Sequence, residues 1–258
     1  MELSCQIESL SYKTREVLHD VCFSLESGEF LSVIGRNGQG KSTLIRALSG
    51  QLSYRGSITV DERELRSFTP KDRAKQISLM PQSLFAPRVT VRELLTFGRA
   101  PYRALCGYSE ADQEAIDRAL HDADLSALSS CTLDRISGGE LRRAYFGMVL
   151  AQDTSLLLLD EPTAFLDAEY EARLFGLVKQ RSKERHKTVI AVMHNPEYAL
   201  SYADRILFLD GGTIRFFGTP DELLQTDHLE TVFSLRRYLA TDEDGKARVF
   251  FSSVHAEG

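Results

Sequence analysis

The first third of the chain alternates short apolar runs with polar turns. These runs predict β-strands, at Leu3–Leu10, Val21–Leu25, Phe30–Ile34, Ser57–Val60 and Gln76–Met80. After Gln82 the pattern becomes helical, with predicted helices at Val91–Gly98, Glu110–Leu125 and Leu141–Ala151. Ser109 is a suitable N-cap for the second of these helices. The pattern therefore predicts a helical lobe of about residues 83–150 between two blocks of strands.

Beyond the helical lobe, strands and helices alternate again, as they do in parallel sheets with crossover connections. The predicted strands are Ser155–Leu159, Thr188–Met193, Arg205–Leu209 and Thr213–Phe217. Asp210-Gly211-Gly212 predicts a hairpin turn between the last two. Thr219-Pro220-Asp221-Glu222 has the pattern of a capping box with proline at the first helical position.

The C-terminal extension, about residues 227–258, carries no recognisable chemistry. We expect a terminal helix and a strand over Arg248–Val254, both packed on the body of the protein. The chain has no internal repeat, low-complexity segment or linker. A single domain over residues 1–258 is therefore expected.

A glycine-rich segment joins the strand Phe30–Ile34 to a predicted helix, Lys41–Leu48. It matches the full P-loop pattern with Gly35, Arg36, Asn37, Gly38, Gln39, Gly40, Lys41, Ser42 and Thr43. The glycines permit a tight turn whose N–H groups face phosphate oxygens, and the helix N-terminus adds partial positive charge. Lys41 is expected to reach the β- and γ-phosphates, and the Ser42 hydroxyl to ligate Mg²⁺. A chance glycine-rich turn is a remote alternative, because the strand–loop–helix context is also present.

Two carboxylates follow the apolar run Leu156–Leu159. A run of this kind suits a central parallel strand, and ligands bind at the carboxyl ends of such strands. Asp160 is expected to hold Mg²⁺ through water, and Glu161 to act as the general base on the attacking water. A buried strand followed by a solvated acidic turn is the alternative, which the intact P-loop makes weaker.

Three further polar residues stand where a nucleotide site needs them. Gln82 follows a strand and can contact Mg²⁺ or the attacking water, while His194 ends a strand and can bond the γ-phosphate. Asp167 lies just beyond the two carboxylates. Taken singly, they also have structural interpretations: a surface amide, a satisfied histidine and a helix N-terminal acid. Their order along the chain favours the functional interpretation.

A second phosphate-binding motif, Ile136-Ser137-Gly138-Gly139-Glu140, opens the third predicted helix. Ser137 is expected to cap that helix and to bond a γ-phosphate, with the amides of Gly138 and Gly139 beside it. A P-loop alone indicates nucleotide binding, whereas this pair of motifs indicates an ATP-driven clamp. The chain has one copy of each motif, in different lobes, so the two motifs need not meet within one chain.

Composition narrows the function without specifying it. The 258 residues are 43% hydrophobic and 26% charged, which is ordinary for a globular protein. A net charge of −6 offers no basic surface for nucleic acid. The four cysteines, Cys5, Cys22, Cys106 and Cys131, have no metal-site or disulfide spacing, so reduced, buried cysteines are expected. No signal peptide and no apolar run of about 20 residues is present, so a membrane pore would be another polypeptide.

Taken together, these motifs resemble the nucleotide-binding subunits of ABC transporters over essentially the whole chain. The resemblance implies an α/β fold: a P-loop NTPase core, an N-terminal antiparallel β portion and an inserted α-helical lobe. It also implies ATP and Mg²⁺ as ligands, ATP hydrolysis, and a head-to-tail dimer in which Ser137 to Glu140 complete the partner's site. Tyr12 matches the aromatic that stacks on adenine, although a core tyrosine is an equal alternative. Two departures are Ile136 for the usual leucine and Asn195 for an aspartate.

Softer signals resemble the ATPases of importers for iron–siderophore, haem and cobalamin. They are Thr90–Leu95, Gly98–Tyr102, Glu161–Asp167 and Thr231–Ser234. This resemblance implies integral membrane permease partners, an extracytoplasmic binding protein, and a peripheral location at the cytoplasmic face of the inner membrane. The segment after Gln82, residues 83–95, would contact the permease, although ordinary packing within the helical lobe is an equal alternative for its residues. A cytosolic ABC ATPase without a pore, in iron–sulfur cluster assembly or as a scaffold, is the alternative; a P-loop kinase or GTPase is nearly excluded by the second motif and His194.

Overall fold

The continuous apolar runs form strands that are buried on both faces. In the computed structural model, side chains of each central strand point alternately into two separate cores. Leu157 and Leu159 enter one core, and Leu156 and Leu158 enter the other. Each fully buried leucine contributes about 2 kcal/mol relative to exposure. The uninterrupted hydrophobicity of these runs therefore reflects a central sheet covered on both sides.

The structure describes residues 1–104, 107–164, 166–233, 235–241 and 247–253. Cys106, Phe165, Ser234 and Val254, which belong to motifs or elements discussed above, lie outside the described residues. The strands are β1 (Leu3–Tyr12), β2 (Arg15–Leu25), β3 (Phe30–Ile34), β4 (Arg55–Val60), β5 (Arg63–Glu64), β6 (Ile77–Met80), β7 (Leu156–Asp160), β8 (Thr188–Val192), β9 (Arg205–Asp210), β10 (Thr213–Gly218), β11 (Leu235–Thr241) and β12 (Ala247–Ser253). The helices are α1 (Lys41–Leu48), α2 (Pro70–Gln76), α3 (Val91–Gly98), α4 (Glu110–Asp122), α5 (Gly138–Gln152), α6 (Ala168–Arg185), α7 (Pro196–Tyr202), α8 (Pro220–Leu224) and α9 (His228–Phe233).

The strands form two main sheets. The central sheet has the order β10-β9-β3-β8-β7-β6, and its neighbours are parallel except for the β9–β10 hairpin. A second, antiparallel sheet has the order β2-β1-β4-β5. Its buried side chains pack with α1 against one face of the central sheet. The predicted combination of a P-loop core and an N-terminal antiparallel portion is confirmed.

Helices α3, α4 and α5 pack together and join the core on the other face of the central sheet. Thr90 and Ser109 begin α3 and α4 with capping boxes, as the sequence pattern of α4 predicts. Helix α4 ends at Asp122 rather than Leu125, and α5 begins at Gly138 rather than Leu141. The earlier start of α5 follows from Ser137, which caps it.

The C-terminal extension differs from the expectation of one helix and one strand. After α9, β11 and β12 pair with each other as an antiparallel hairpin. The strand β11 was not predicted, because Leu235–Thr241 contains two adjacent arginines that interrupt the apolar alternation. The strand is stabilised instead by main-chain hydrogen bonds to β12.

Candidate functional site

The P-loop lies between the end of β3 and the start of α1. Gly35 and Gly40 adopt φ values of +149° and +99°, in the left-handed region that glycine tolerates best. A Cβ on Gly35 would lie 2.2 Å from the Leu209 carbonyl oxygen, so no side chain fits there, and one on Gly40 would lie 2.7 Å from Leu18 Cδ2, which would have to move. The loop is therefore held close to both β9 and β2.

The side chain of Lys41 is buried beneath this loop. Its Nζ donates to the carbonyl oxygens of Gly35 at 2.6 Å and Arg36 at 2.9 Å. Burial lowers the pKa of Lys41, while the carboxylates of Glu161 and Asp160 act in the opposite direction. The ammonium thus lies within a loop whose glycine N–H groups and helix terminus favour anions.

The predicted metal ligands Ser42 and Asp160 are in direct contact. Ser42 Oγ donates to Asp160 Oδ1 at 3.0 Å, which joins the first turn of α1 to the end of β7. Burial raises the pKa of Asp160, and nearby Glu161 raises it further, against opposing effects of Ser42, Arg46 and Lys41. A divalent cation would offset the free-energy cost of keeping the buried Asp160 ionised beside Glu161. Hydroxyl, carboxylate and amide oxygens are the ligands that Mg²⁺ prefers, so the residues present fit this ion.

Glu161 and His194 meet at the ends of adjacent strands. Strand β7 pairs with β8 so that Asp160 lies opposite Val192. His194 Nε2 then lies 2.7 Å from Glu161 Oε1. Glu161 itself has φ +52°, an uncommon conformation for a residue with a side chain. The predicted general base, Glu161, is therefore in direct contact with His194, the predicted γ-phosphate ligand.

A cavity of about 230 Å³ opens over these groups. Its lining includes Gln82, Glu161 and the P-loop residues Asn37, Gly38, Gly40, Lys41, Ser42 and Thr43. Val17 also lines it. Sequence reasoning missed Val17 because it began the second strand at Val21, whereas β2 begins at Arg15 and carries Val17 to the P-loop.

Two of the predicted nucleotide-binding side chains have other contacts. Gln39 Oε1 accepts a hydrogen bond from the backbone N–H of Gly211 at 2.7 Å, which links the P-loop to the turn between β9 and β10. Asp167 is exposed and caps α6, where its Oδ1 accepts from the Tyr170 N–H at 2.8 Å. The structural interpretation of Asp167 as a helix N-terminal acid therefore describes its contact within this chain.

Tyr12 lies at the end of β1, where it pairs with Arg15 across the hairpin to β2. Its side chain is 40% exposed, which excludes the interpretation as a core tyrosine. Asn195, one of the two departures named above, is the N-cap of α7, and its Oδ1 accepts from the Glu197 N–H at 2.8 Å.

The second phosphate-binding motif forms the N-terminus of α5. Glu140 N–H donates to Ser137 Oγ at 3.2 Å, and Ser137 N–H donates to Glu140 Oε2 at 2.7 Å. The hydrogen bonds from Ser137 lower the pKa of Glu140. Nothing lies within 4 Å of the position that a Cβ on Gly138 would take, so this glycine faces open space.

Gly138 of this motif lines a second cavity, of about 630 Å³. Gly138, Leu141 and Arg142 of α5 line it together with Gln82 and Glu161. Ser137, Gly139 and Glu140 do not line the P-loop cavity described above. Within one chain the two motifs therefore face different cavities that share Gln82 and Glu161.

Three cysteines, Cys5, Cys22 and Cys131, are described as free thiols. Cys5 is buried as predicted, whereas Cys131 is half-buried and Cys22 is exposed, so the prediction of buried cysteines is wrong for Cys22. Among the residues that the structure describes, no helix combines the length and the apolar character that crossing a bilayer requires.

Comparison with known proteins identifies the family. Residues 18–164 match the family model described as ABC transporter. The chain is 36% identical over 228 residues, 87% of this chain and 84% of the relative, to the petrobactin import ATP-binding protein of Bacillus anthracis. It is 33% identical to the ferric enterobactin transport ATP-binding protein of Escherichia coli K12, over 91% of this chain and 88% of the relative. It is 37% identical to the hemin import ATP-binding protein of Nocardia farcinica, over 85% and 76% respectively.

Solved structures share the fold at lower identity. A chain from a structure described as an inward-facing metal-chelate type ABC transporter superposes with a TM-score of 0.83, at 23% identity and with 98% of both chains covered. A dimeric post-hydrolysis ATP-binding cassette with ADP and Pi superposes with a TM-score of 0.75, at 22% identity, over 85% of this chain and 99% of the other. The resemblance drawn from the motifs is thus confirmed, and the chain belongs to the ABC transporter family.

Proposed function

We propose that this chain is the ATP-binding and ATP-hydrolysing subunit of an importer for a metal chelate such as an iron–siderophore, haem or cobalamin. One observation carries the ATPase part: the P-loop Ser42 contacts Asp160, and the adjacent Glu161 contacts His194, at one edge of the central sheet. The import part is supported by relatives, at 33% identity or more, that are named for petrobactin import, ferric enterobactin transport and hemin import.

The proposed chemistry assigns a role to each side chain at this edge. Ser42, Gln82 and Asp160 would hold Mg²⁺, which offsets charge on the phosphate oxygens. Lys41 and the P-loop amides would bind the β- and γ-phosphates. Glu161 would accept a proton from the attacking water, and His194 would orient Glu161 and contact the γ-phosphate. Tyr12, which is exposed at the end of β1, would stack on adenine.

The proposed assembly is a head-to-tail dimer. The amide end of α5, where Gly138 faces open space, would bind the γ-phosphate held by the P-loop of a second copy. ATP would then join the subunits, and hydrolysis would release them. The open and closed states would differ in affinity for ATP, which is the condition for a ligand-driven switch.

The proposed partners are two integral membrane permease subunits, supplied by an extracytoplasmic binding protein, with this chain peripheral at the cytoplasmic face of the inner membrane. The segment after Gln82 offers a surface for such a partner. Phe85 is 77% exposed, and the neighbouring Leu84 lines the 630 Å³ cavity. A short amphipathic helix from a permease would bury these apolar groups. Glu93 is a poor site for testing this contact, since its carboxylate accepts from the Thr90 N–H and caps α3.

Gene deletion with separate uptake assays for iron–siderophore, haem and cobalamin tests the proposal. We expect loss of uptake of one cargo, restored by the wild-type gene but not by a Glu161→Gln variant that is expressed at the same level. The cytosolic alternative predicts the opposite: normal uptake of all three cargoes, together with a defect in iron–sulfur cluster assembly.

A further inference from the structure

Arg142 connects α5, the helix that begins at the second phosphate-binding motif, to the edge of the central sheet that carries Glu161. It lies in the first two turns of α5 and is buried, with 4% exposure. Its Nη1 donates to the backbone carbonyl of Glu161 at 2.5 Å, and its Nη2 donates to the backbone carbonyl of Gln82 at 3.1 Å. One guanidinium therefore joins three segments that are distant in the sequence.

The bond to Glu161 acts at a conformationally demanding position. Glu161 has φ +52°, which orients both its carbonyl and its side chain. Residues with side chains adopt such values where surrounding contacts hold them. The Glu161 carbonyl accepts from Arg142 and, more weakly, from the Ala164 N–H at 3.4 Å. The hydrogen bond from Arg142 is thus the shorter of these two contacts on the Glu161 carbonyl. It helps to hold the backbone conformation from which the Glu161 carboxylate projects.

The electrostatics favour a guanidinium here. Burial lowers the pKa of Arg142, while the carboxylates of Glu161 and Asp160 raise it. An arginine retains its charge under such conditions, and its planar guanidinium offers a separate N–H donor to each of the two carbonyls. A lysine would supply the charge without this planar pair of donors.

We propose that Arg142 is a positioning residue for ATP hydrolysis, which holds Glu161 and the Gln82 loop in register with the helix that carries Ser137. The inference rests on the proposed function, because it assigns Glu161 as the base. A shift of α5 when its N-terminus engages a second subunit's nucleotide would move the Glu161 peptide through Arg142. The geometry of the base would thus depend on the position of the second phosphate-binding motif.

The test compares Arg142→Met with Arg181→Met. Arg181 is also buried in a helix, but its partner is Asp122, outside the site. We expect Arg142→Met to lower kcat by about 100-fold, the scale of a roughly 1 Å misplacement of a catalytic group. Binding of a fluorescent ATP analogue should change by less than about threefold, because no phosphate ligand is removed. Arg181→Met should lose thermal stability but keep its kcat per folded molecule.

Coupling to Glu161 separates positioning from general destabilisation. In a Glu161→Gln background, measured under single-turnover conditions, Arg142→Met should cost less than about twofold, because the base is already absent. An equal cost in both backgrounds, or a kcat matching that of Arg181→Met, would overturn the inference. Arg142→Lys and Arg142→Gln provide a second series if the methionine variant does not fold, with Lys retaining charge and Gln one amide donor. Absence of ATPase activity in the wild-type protein would instead remove the proposed function.

Discussion

The ion pair between Arg99 and Asp112 in the helical lobe leads to a quantitative stability prediction for Asp112→Ala. The two side chains are 10% and 6% exposed, and Asp112 Oδ1 lies 2.8 Å from Arg99 Nη2. Arg99 also donates to the carbonyl of Ala151 at 2.9 Å, near the C-terminus of α5. The other carboxylate oxygen of Asp112 accepts from the N–H and hydroxyl of Ser109, which caps α4. Alanine at position 112 would remove both sets of contacts.

The expected loss is large because a buried charge would remain. Removing one partner of a buried ion pair costs about 3–5 kcal/mol. Loss of the hydrogen bonds that the Asp112 carboxylate accepts from Ser109, which form one half of the capping box, adds about 1 kcal/mol. In a protein of this size each kcal/mol lowers Tm by about 2–4 °C, so Asp112→Ala should lower Tm by roughly 8–24 °C.

Calorimetry and urea denaturation on the isolated chain provide the assay, with Asp117→Ala as the matched control. Asp117 also pairs with an arginine, Arg92, at 2.6 Å, but these side chains are 59% and 42% exposed. Such a surface pair contributes about 0–1 kcal/mol. Equal destabilisation by the two variants would refute the reasoning from burial. Arg99 also contacts the ring of Tyr102 within the Gly98–Tyr102 segment. Equal destabilisation would therefore mean that this segment does not stabilise the lobe through Arg99.

The remaining predictions concern the site and its pH dependence. Glu161→Gln should lower ATP turnover by at least about 100-fold, which is within the range of the effect of a general base. An ATP-bound dimer of this variant should accumulate on size-exclusion chromatography. Undiminished turnover would show that Glu161 is not the base. Lys41→Ala and Ser137→Arg should each be inactive, but their mixture should recover part of the activity, because a mixed dimer keeps one intact composite site. No recovery in dimers shown to be mixed would contradict that arrangement. Burial acts to raise the pKa of Asp112, but hydrogen bonds from Ser109 and Arg99 outweigh it and lower the pKa. The difference in unfolding free energy between wild type and Asp112→Ala should therefore have its full value above about pH 4 and shrink as the pH falls further. A difference that is constant from pH 6 to 3 would show that the carboxylate is not responsible.

Local signals were sufficient where an element has its own start, its own end and an apolar face. The bounds of β3, α1 and α3 agree with the expectations from sequence. A P-loop fixes where α1 begins, and a capping box fixes where α3 begins. The first half of β2 was missed because Arg15 to His19 are mostly polar. They are extended because they pair with β1, which no local pattern reports.

The sequence by itself determined the family and the residue types of the candidate site, since each motif is a short contiguous string whose chemistry depends on spacing along the chain. Tertiary structure alone decided which of those residues touch. The contacts between Ser42 and Asp160, and between Glu161 and His194, depend on the strand order β3-β8-β7-β6. Arg142 was indistinguishable in sequence from Arg143, whose guanidinium lies near Asp124 instead. Their difference arises because α5 packs with one face against the strand ends, and helix orientation is set by burial of many side chains together rather than by any local motif.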